Sequence, residues 1–199
     1  MRALRSLIVP AVLLLAVSCA KPPQAEIDAA HAALETASMS ADVVTYAPDS
    51  LRDAQEKGAE LDAELAAQAR RSAISRTYDR TKTLAASCGE TARKAVADAA
   101  TAKAQVALDA SALVEELTTA IPTVETKVWA ARRVPRIRQE VIGPLAQVPD
   151  AARRTLEEAN RDIGAGSFAA ARAKLLAVKD RLASCEETIA EQTRIARIR

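Results

Sequence analysis

One run restricts this chain more than any other: about fifty residues, from Arg70 to Thr119, without a proline and with small apolar residues every three or four positions. Ile74, Tyr78, Thr81, Ala85, Cys88, Ala92, Ala95, Ala99, Ala102 and Val106 alternate by four and three. That spacing gathers them on one stripe of an α-helix, whereas a strand, with its period of two, would scatter them over both faces. The stripe then slips by one position to Ala110, Leu113 and Leu117, and Cys88-Gly89 is the only candidate interruption. Unbroken, the helix would be on the order of 75 Å long at 1.5 Å per residue. Its alanine stripe permits close approach of a neighbour but removes little area from water per turn, so the helix is stable only when docked.

The flanking segments supply partners. A first helix is expected from about Glu26 to Thr45, with Ile27, Ala30, Leu34, Ala37, Ala41 and Val44 on its seam. Pro48 ends it and opens the next, where Asp49 complements the helix N-terminus. That second helix carries Leu51, Ala54, Gly58, Leu61 and Leu65. Glycine at a seam position costs about 1 kcal/mol against alanine, which points to a neighbouring helix passing close to Gly58. Residues 24–69 hold ten acids and two bases, and residues 70–103 eight bases and three acids, so an antiparallel hairpin is favoured by charge.

Pro122, Pro135, Pro144 and Pro149 punctuate residues 121–149, which read as a basic connector holding a short helix between the first two prolines. Residues 150–199 then read as a second hairpin. Its first helix reaches about Ile163 on Ala152, Leu156 and Ala159; a Gly164–Ser167 turn follows, with Ser167 as expected N-cap. The last helix is seamed by Phe168, Ala171, Leu175, Val178, Leu182, Cys185 and Ile189.

The two hairpins repeat. Ala47-Pro48-Asp49 leads to Ala86-Ser87-Cys88-Gly89-Glu90-Thr91, and Val148-Pro149-Asp150 leads to Ala183-Ser184-Cys185-Glu186-Glu187-Thr188, with Pro-to-Cys spacings of 40 and 36. A helix-pair repeat of this period indicates stacked α-hairpins. The expected fold is therefore all-α: an elongated antiparallel helical bundle or stack of α-hairpins with Ala-rich heptad seams, residues 26–120 forming the first region. The same coiled-coil-like seams would serve for pairing between two copies of the chain.

The N-terminus reads as an export signal: Arg2 and Arg5, then an apolar run from Leu7 to Val17 broken by Pro10, too short to span a bilayer. It closes on Leu15-Ala16-Val17-Ser18-Cys19, which resembles the lipobox of bacterial lipoproteins, with Ala16 where that family usually has Leu. The resemblance implies removal of residues 1–18, acylation of Cys19 (diacylglycerol and an amide-linked chain such as palmitate) and a spacer over 19–25. Ala20 is not the Asp associated with inner-membrane retention, so the resemblance implies an outer-membrane tether with the body in the periplasm. Without the signal, 28 basic residues become 26 against 26 acidic ones. A neutral body with four aromatic residues argues against nucleic-acid binding.

Tyr46-Ala47-Pro48-Asp49-Ser50-Leu51-Arg52-Asp53-Ala54 resembles the Y-A-P-x-x-L-x-x-A motif of a family of small helical envelope lipoproteins, domain of unknown function 4398. The likeness covers roughly residues 24–105; no peptidoglycan-binding domain follows, so wall binding by that route is not implied. The stretch 165–171, with Gly166 ahead of Phe168 and Ala171, looks like a tetratricopeptide turn, without that family's Trp or terminal Pro at the expected places.

Little here points to catalysis. His31 is the only histidine, which excludes two-histidine zinc sites, and no Gly-x-Ser-x-Gly, phosphate loop or Cys-x-x-Cys occurs. The carboxylates fall on regular solvated faces. No metal, cofactor or enzymatic activity is expected. Cys88 and Cys185, at equivalent repeat positions and in an oxidising compartment if exported, leave two readings open. The expected one is a disulfide between them, closing a loop of about 100 residues. The other is two buried thiols too far apart to bridge. Trp129 with Arg132, Arg133, Arg136 and Arg138 also reads two ways: a connector whose Trp plugs the bundle, or a basic contact surface for lipid headgroups or a protein partner. The expected role is a membrane-tethered, non-enzymatic scaffold, spacer or adaptor working with an envelope protein. A tetratricopeptide-like peptide-binding module and a regulator of a cell-wall enzyme are the alternatives.

Overall fold

In the computed structural model, which describes residues 21–198, the alanine stripe becomes one 54-residue helix, α4 (Asp79–Arg132), that every larger element packs against. Before it come α1 (Gln24–Met39), α2 (Ala41–Tyr46) and α3 (Pro48–Ala69); after it come α5 (Gln139–Ile142), α6 (Val148–Gly164) and α7 (Phe168–Ile198). Short 3₁₀ turns lie at Ala73–Ser75 and Gly143–Gln147, and there is no strand among the described residues. The fold is the expected all-α helical bundle.

Ion pairs give the helix directions. Ala30 lies beside Gly89 and Asp42 meets Lys103 at 2.9 Å, so α1 and α2 run parallel to the first half of α4, while the Ser50 hydroxyl donates to Asp98 at 2.7 Å and Glu64 meets Arg80 at 3.5 Å, so α3 returns antiparallel. Further along, Lys179 meets Glu116 at 2.7 Å and Lys127 meets Glu186 at 2.6 Å, so α7 runs parallel to the second half of α4. Lys174 reaches Asp162 at 2.7 Å across the antiparallel α6–α7 pair. With α1 and α2 counted as one helix broken at Ser40, the result is two three-helix units in tandem, α4 being the last helix of the first and the first helix of the second.

Each unit has its own core. The first is built on Ala30, Ala37, Ala54, Ala85, Ala92, Ala95 and Ala99, with Val43, Leu51 and Leu61 as its larger members. The second is larger in side-chain volume, with Leu117, Ile121, Val124, Val128, Leu175 and Leu182. Between them Ala102 and Val106 are only half-buried and Leu108 is 67% exposed. The one-position slip of the stripe therefore marks where α4 exchanges one set of partners for the other. At this waist the Tyr46 hydroxyl accepts a hydrogen bond from the Ala169 amide at 3.3 Å, joining the end of α2 to the start of α7. The alanine seam is covered within a single chain, so pairing of two copies would need another face.

The repeat is structural. Pro48 and Pro149 occupy the first turns of α3 and α6, and Cys88 and Cys185 are buried on α4 and α7. Gly166 (φ +76°) ends α6: its amide donates to the Ile163 carbonyl at 2.9 Å and that of Ser167 to the Asp162 carbonyl at 2.8 Å.

Several boundaries differ from the expectation. The first helix starts at Gln24, inside the anticipated spacer, and breaks at Ser40, whose extended backbone (ψ 114°) interrupts the ladder and whose hydroxyl accepts from the Val43 amide at 3.4 Å. The break rotates the stripe, burying Val43 and leaving Ala41 and Val44 exposed. The long helix begins at Asp79, so Ile74 lies outside it at 83% exposure. It passes Cys88-Gly89 without interruption: Gly89 keeps helical backbone, and a Cβ there would meet the Ala30 Cα of α1 at 3.7 Å, an ordinary packing distance. It also continues through Pro122, so the boundary expected at 120/121 falls inside α4 and the supposed separate helix is its last stretch.

Gly58 does mark a close approach: a Cβ there would stand 2.5 Å from Leu34 Cδ2 and 3.9 Å from Cys88 Sγ. Gly58→Val is expected to destabilise the first unit by roughly 1–3 kcal/mol through overpacking, read as a lower denaturant midpoint. Unchanged stability would mean that α1 does not pack here.

Candidate interaction surface

At the far end of α4, Val124, Val128 and Ala131 face the core. Helical spacing then turns Trp129, Arg132 and Arg133 outward. Trp129 is 52% exposed, and the Arg132 guanidinium carbon lies 5.0 Å from its ring centroid, a cation–π contact at i,i+3. The helix ends at Arg132 with Arg133 as its C-cap, and the Gln139 side-chain amide donates to the Arg132 carbonyl at 3.0 Å, closing the turn. Ile137, buried, pins that turn, and Arg136 and Arg138 stand exposed on either side of it. Lys127 is neutralised by Glu186. Among the described residues none of the four arginines forms an ion pair, so the tip combines a stacked indole with uncompensated positive charge.

This overturns the plug reading of Trp129. The end of the bundle is filled instead by Val128, Ile137 and Ile142, all at or below 4% exposure. Periodicity could have indicated as much, since Val124, Val128 and Ala131 continue the seam of Leu117 and Ile121 and leave Trp129 on the opposite side.

Cys19 and residues 1–18 lie outside the described residues. The chain enters the fold at the other end, where Pro22, Ile27, Leu65, Arg76 and Tyr78 line one shallow hollow. From there to Arg132 is the length of α4, about 80 Å at 1.5 Å per residue.

Cys88 and Cys185 are not a disulfide; both are free and buried. Cys88 sits in the first core with Ala30, Leu61 and Ala85, and Cys185 in the second. Because Glu186 pairs with Lys127, Cys185 is level with about residue 126 of α4. That is roughly 57 Å along the helix from Cys88, against the 7 Å limit for a bridge. Equivalent positions in tandem units are separated by the length of a unit, which is why the repeat holds the two apart. Burial raises both thiol pKa values, assisted by Asp62 at Cys88 and Glu186 at Cys185. A thiol reagent at neutral pH is expected to modify neither cysteine in the folded protein and both after denaturation. Rapid labelling of either in the folded state would contradict this burial.

His31 Nε2 lies 3.1 Å from Asp62 Oδ1, off the hydrogen-bond axis, an α1–α3 contact that is ionic only when the imidazole is protonated. No group of three metal-ligating side chains occurs among the described residues. A hollow of about 180 Å³ between α6 and α7 is lined by Val148, Ala152, Thr155 and Val178, with Lys174 and Arg181 beside them and no carboxylate. No helix among the described residues is long and apolar enough to cross a membrane. Compared with protein-family models, curated proteins and solved structures, the chain matches none.

Proposed function

We propose that this protein is a lipid-tethered helical rod of the bacterial envelope, a non-enzymatic scaffold or adaptor that presents its Trp129–Arg138 tip to an acidic protein partner. The observation that carries this reading is the opposed placement of the chain's entry point and that tip on one 54-residue helix. The lipobox-like Cys19 supplies the tether, and the likeness of Tyr46–Ala54 to helical envelope lipoproteins agrees with it. The absence of Asp at position 20 favours the outer membrane, with the body facing the periplasm. A single acyl chain binds reversibly and two or more hold durably; the modification implied for Cys19 supplies three. Exposed Trp and Arg are the residue types that dominate interface energetics.

A regulator of a cell-wall enzyme is a special case of this reading, with the enzyme as the partner at the tip. A tetratricopeptide-like groove has less support, because α4, α6 and α7 close on one another around a filled core.

Intact mass of the protein extracted unreduced from membranes tests the tether. Acyl mass on a polypeptide starting at Cys19, without loss of two hydrogens, is expected; an unacylated chain starting elsewhere would sink the reading. Cross-linking from the tip tests the adaptor role. Changing Trp129→Ala with Arg132→Glu should cut capture of the partner by at least about tenfold, and undiminished capture would place the contact elsewhere.

A further inference from the structure

The end of the rod opposite Trp129 carries a second exposed basic segment. α3 and α4 are joined by residues 70–78, which contain Arg70, Arg71 and Arg76 and no acid. The loop is held by its own hydrogen bonds. Arg76 donates to the Arg71 carbonyl at 3.2 Å and to the Ala69 carbonyl at 3.3 Å, and the Thr77 amide donates to Oε1 of the buried Gln68 at 3.2 Å. So fixed, it presents Ile74 in a 3₁₀ turn at 83% exposure, with Arg70 and Arg71 exposed beside it.

This loop shares its end of the molecule with Pro22, since Arg76 and Pro22 line the same hollow. Cys19 is three residues before Pro22, no more than about 10 Å of extended chain. An acyl group on Cys19, or the apolar run Leu7–Val17 retained as an anchor, would bring the same leaflet to this loop. The neighbouring charges are mixed: Lys21 adds a base, Arg80 is paired with Glu64 at 3.5 Å, and Glu26, Asp28 and Asp79 are the acids nearby. The loop itself is purely basic, with one large apolar side chain at its crest. Basic residues with an apolar side chain are what a protein lays against an anionic bilayer surface.

We propose that residues 70–76 are a second membrane contact, with Arg70 and Arg71 on anionic headgroups of the tethering leaflet and Ile74 in the interface. The proposal rests on the tethered reading for which membrane is meant, but the contact itself needs no acyl chain. It adds orientation: a tether at one point leaves the rod free to lie down, whereas a second point of contact at its base holds the tip away from the bilayer.

The test is flotation of the chain from residue 19 onward with Cys19→Ser, which keeps every described residue, on phosphatidylcholine vesicles with and without phosphatidylglycerol. Binding only to the anionic vesicles is expected. Arg70→Glu with Arg71→Glu should weaken it by at least about 25-fold, at about fivefold for each positive charge lost near a charged surface, and Ile74→Ser should weaken it further. Arg76 is left intact because it ties the loop, and an unchanged melting curve verifies folding. Equal binding by parent and loop variants, no binding to anionic vesicles, or loss only with Arg132→Glu and Arg133→Glu would each overturn the proposal. An unacylated native mass together with loop-dependent binding would remove the tether and leave this contact standing.

Discussion

Leu61→Ala is expected to unfold the first three-helix unit under conditions in which the second stays folded. Leu61 is fully buried, in a core otherwise made mostly of alanine. Truncating a buried leucine costs about 2–5 kcal/mol, from the transfer of its methyl groups and the cavity left behind. A domain's whole stability is about 5–15 kcal/mol, and a unit resting on so few large side chains has little reserve. Leu175→Ala removes an equally buried side chain from the second unit. There Leu117, Ile121, Val124, Val128 and Leu182 share the core, so a similar loss leaves more behind. Hydrogen exchange distinguishes the two variants. With Leu61→Ala, protection should fall in α1, α3 and the first half of α4 while α6, α7 and the second half keep theirs. Uniform loss along the whole chain would show one cooperative body instead of two units sharing a helix.

Pro122→Ala is expected to stabilise the second unit by about 2–3 kcal/mol, most of the cost of a proline inside a helix. Pro122 is exposed, so the substitution removes no packing and restores an amide for the Thr118 carbonyl. The helix tolerates the proline because Ile121, Val124 and Val128 are each at most 2% exposed. Three such side chains contribute about 1.5–3 kcal/mol each, which exceeds the penalty. A melting transition of the second unit raised by about ten degrees or more is the expected outcome, at about 4–8 °C per kcal/mol for a unit of roughly 90 residues. No change, or a fall, would indicate that α4 ends at Pro122 in solution.

That proline also shows the limit of what the sequence conveys. The three-and-four spacing identified which faces are apolar, and Leu51, Ala54, Gly58 and Leu61, like Ala85 to Ala99, are buried as it required. Spacing does not say which helix covers a face. The slip after Val106 was visible as a slip, but that α4 changes partners there depends on how the two hairpins dock. Ser40 broke the first helix because its hydroxyl competes for a backbone amide, a local choice that an apolar pattern does not record. The match between the segments around Cys88 and Cys185 was real, yet sequence equivalence carries no distance, and the tandem arrangement sets the two thiols apart. Of the tip, the residue types were legible and the exposure of Trp129 followed only from the register of the core beside it. Tyr46 stood out as part of a motif, and its hydrogen bond across the waist needed the fold.

The most direct test of the account compares two fluorophores on the membrane-embedded protein, one at position 74 and one at position 133, with an acceptor dye in the lipid. A rod tethered at its base predicts efficient transfer from position 74 and almost none from position 133, since α4 separates them by about 80 Å. Equal transfer from both positions would mean that the rod lies along the bilayer, and the reverse order would mean that the Trp129 end is the one that meets the membrane.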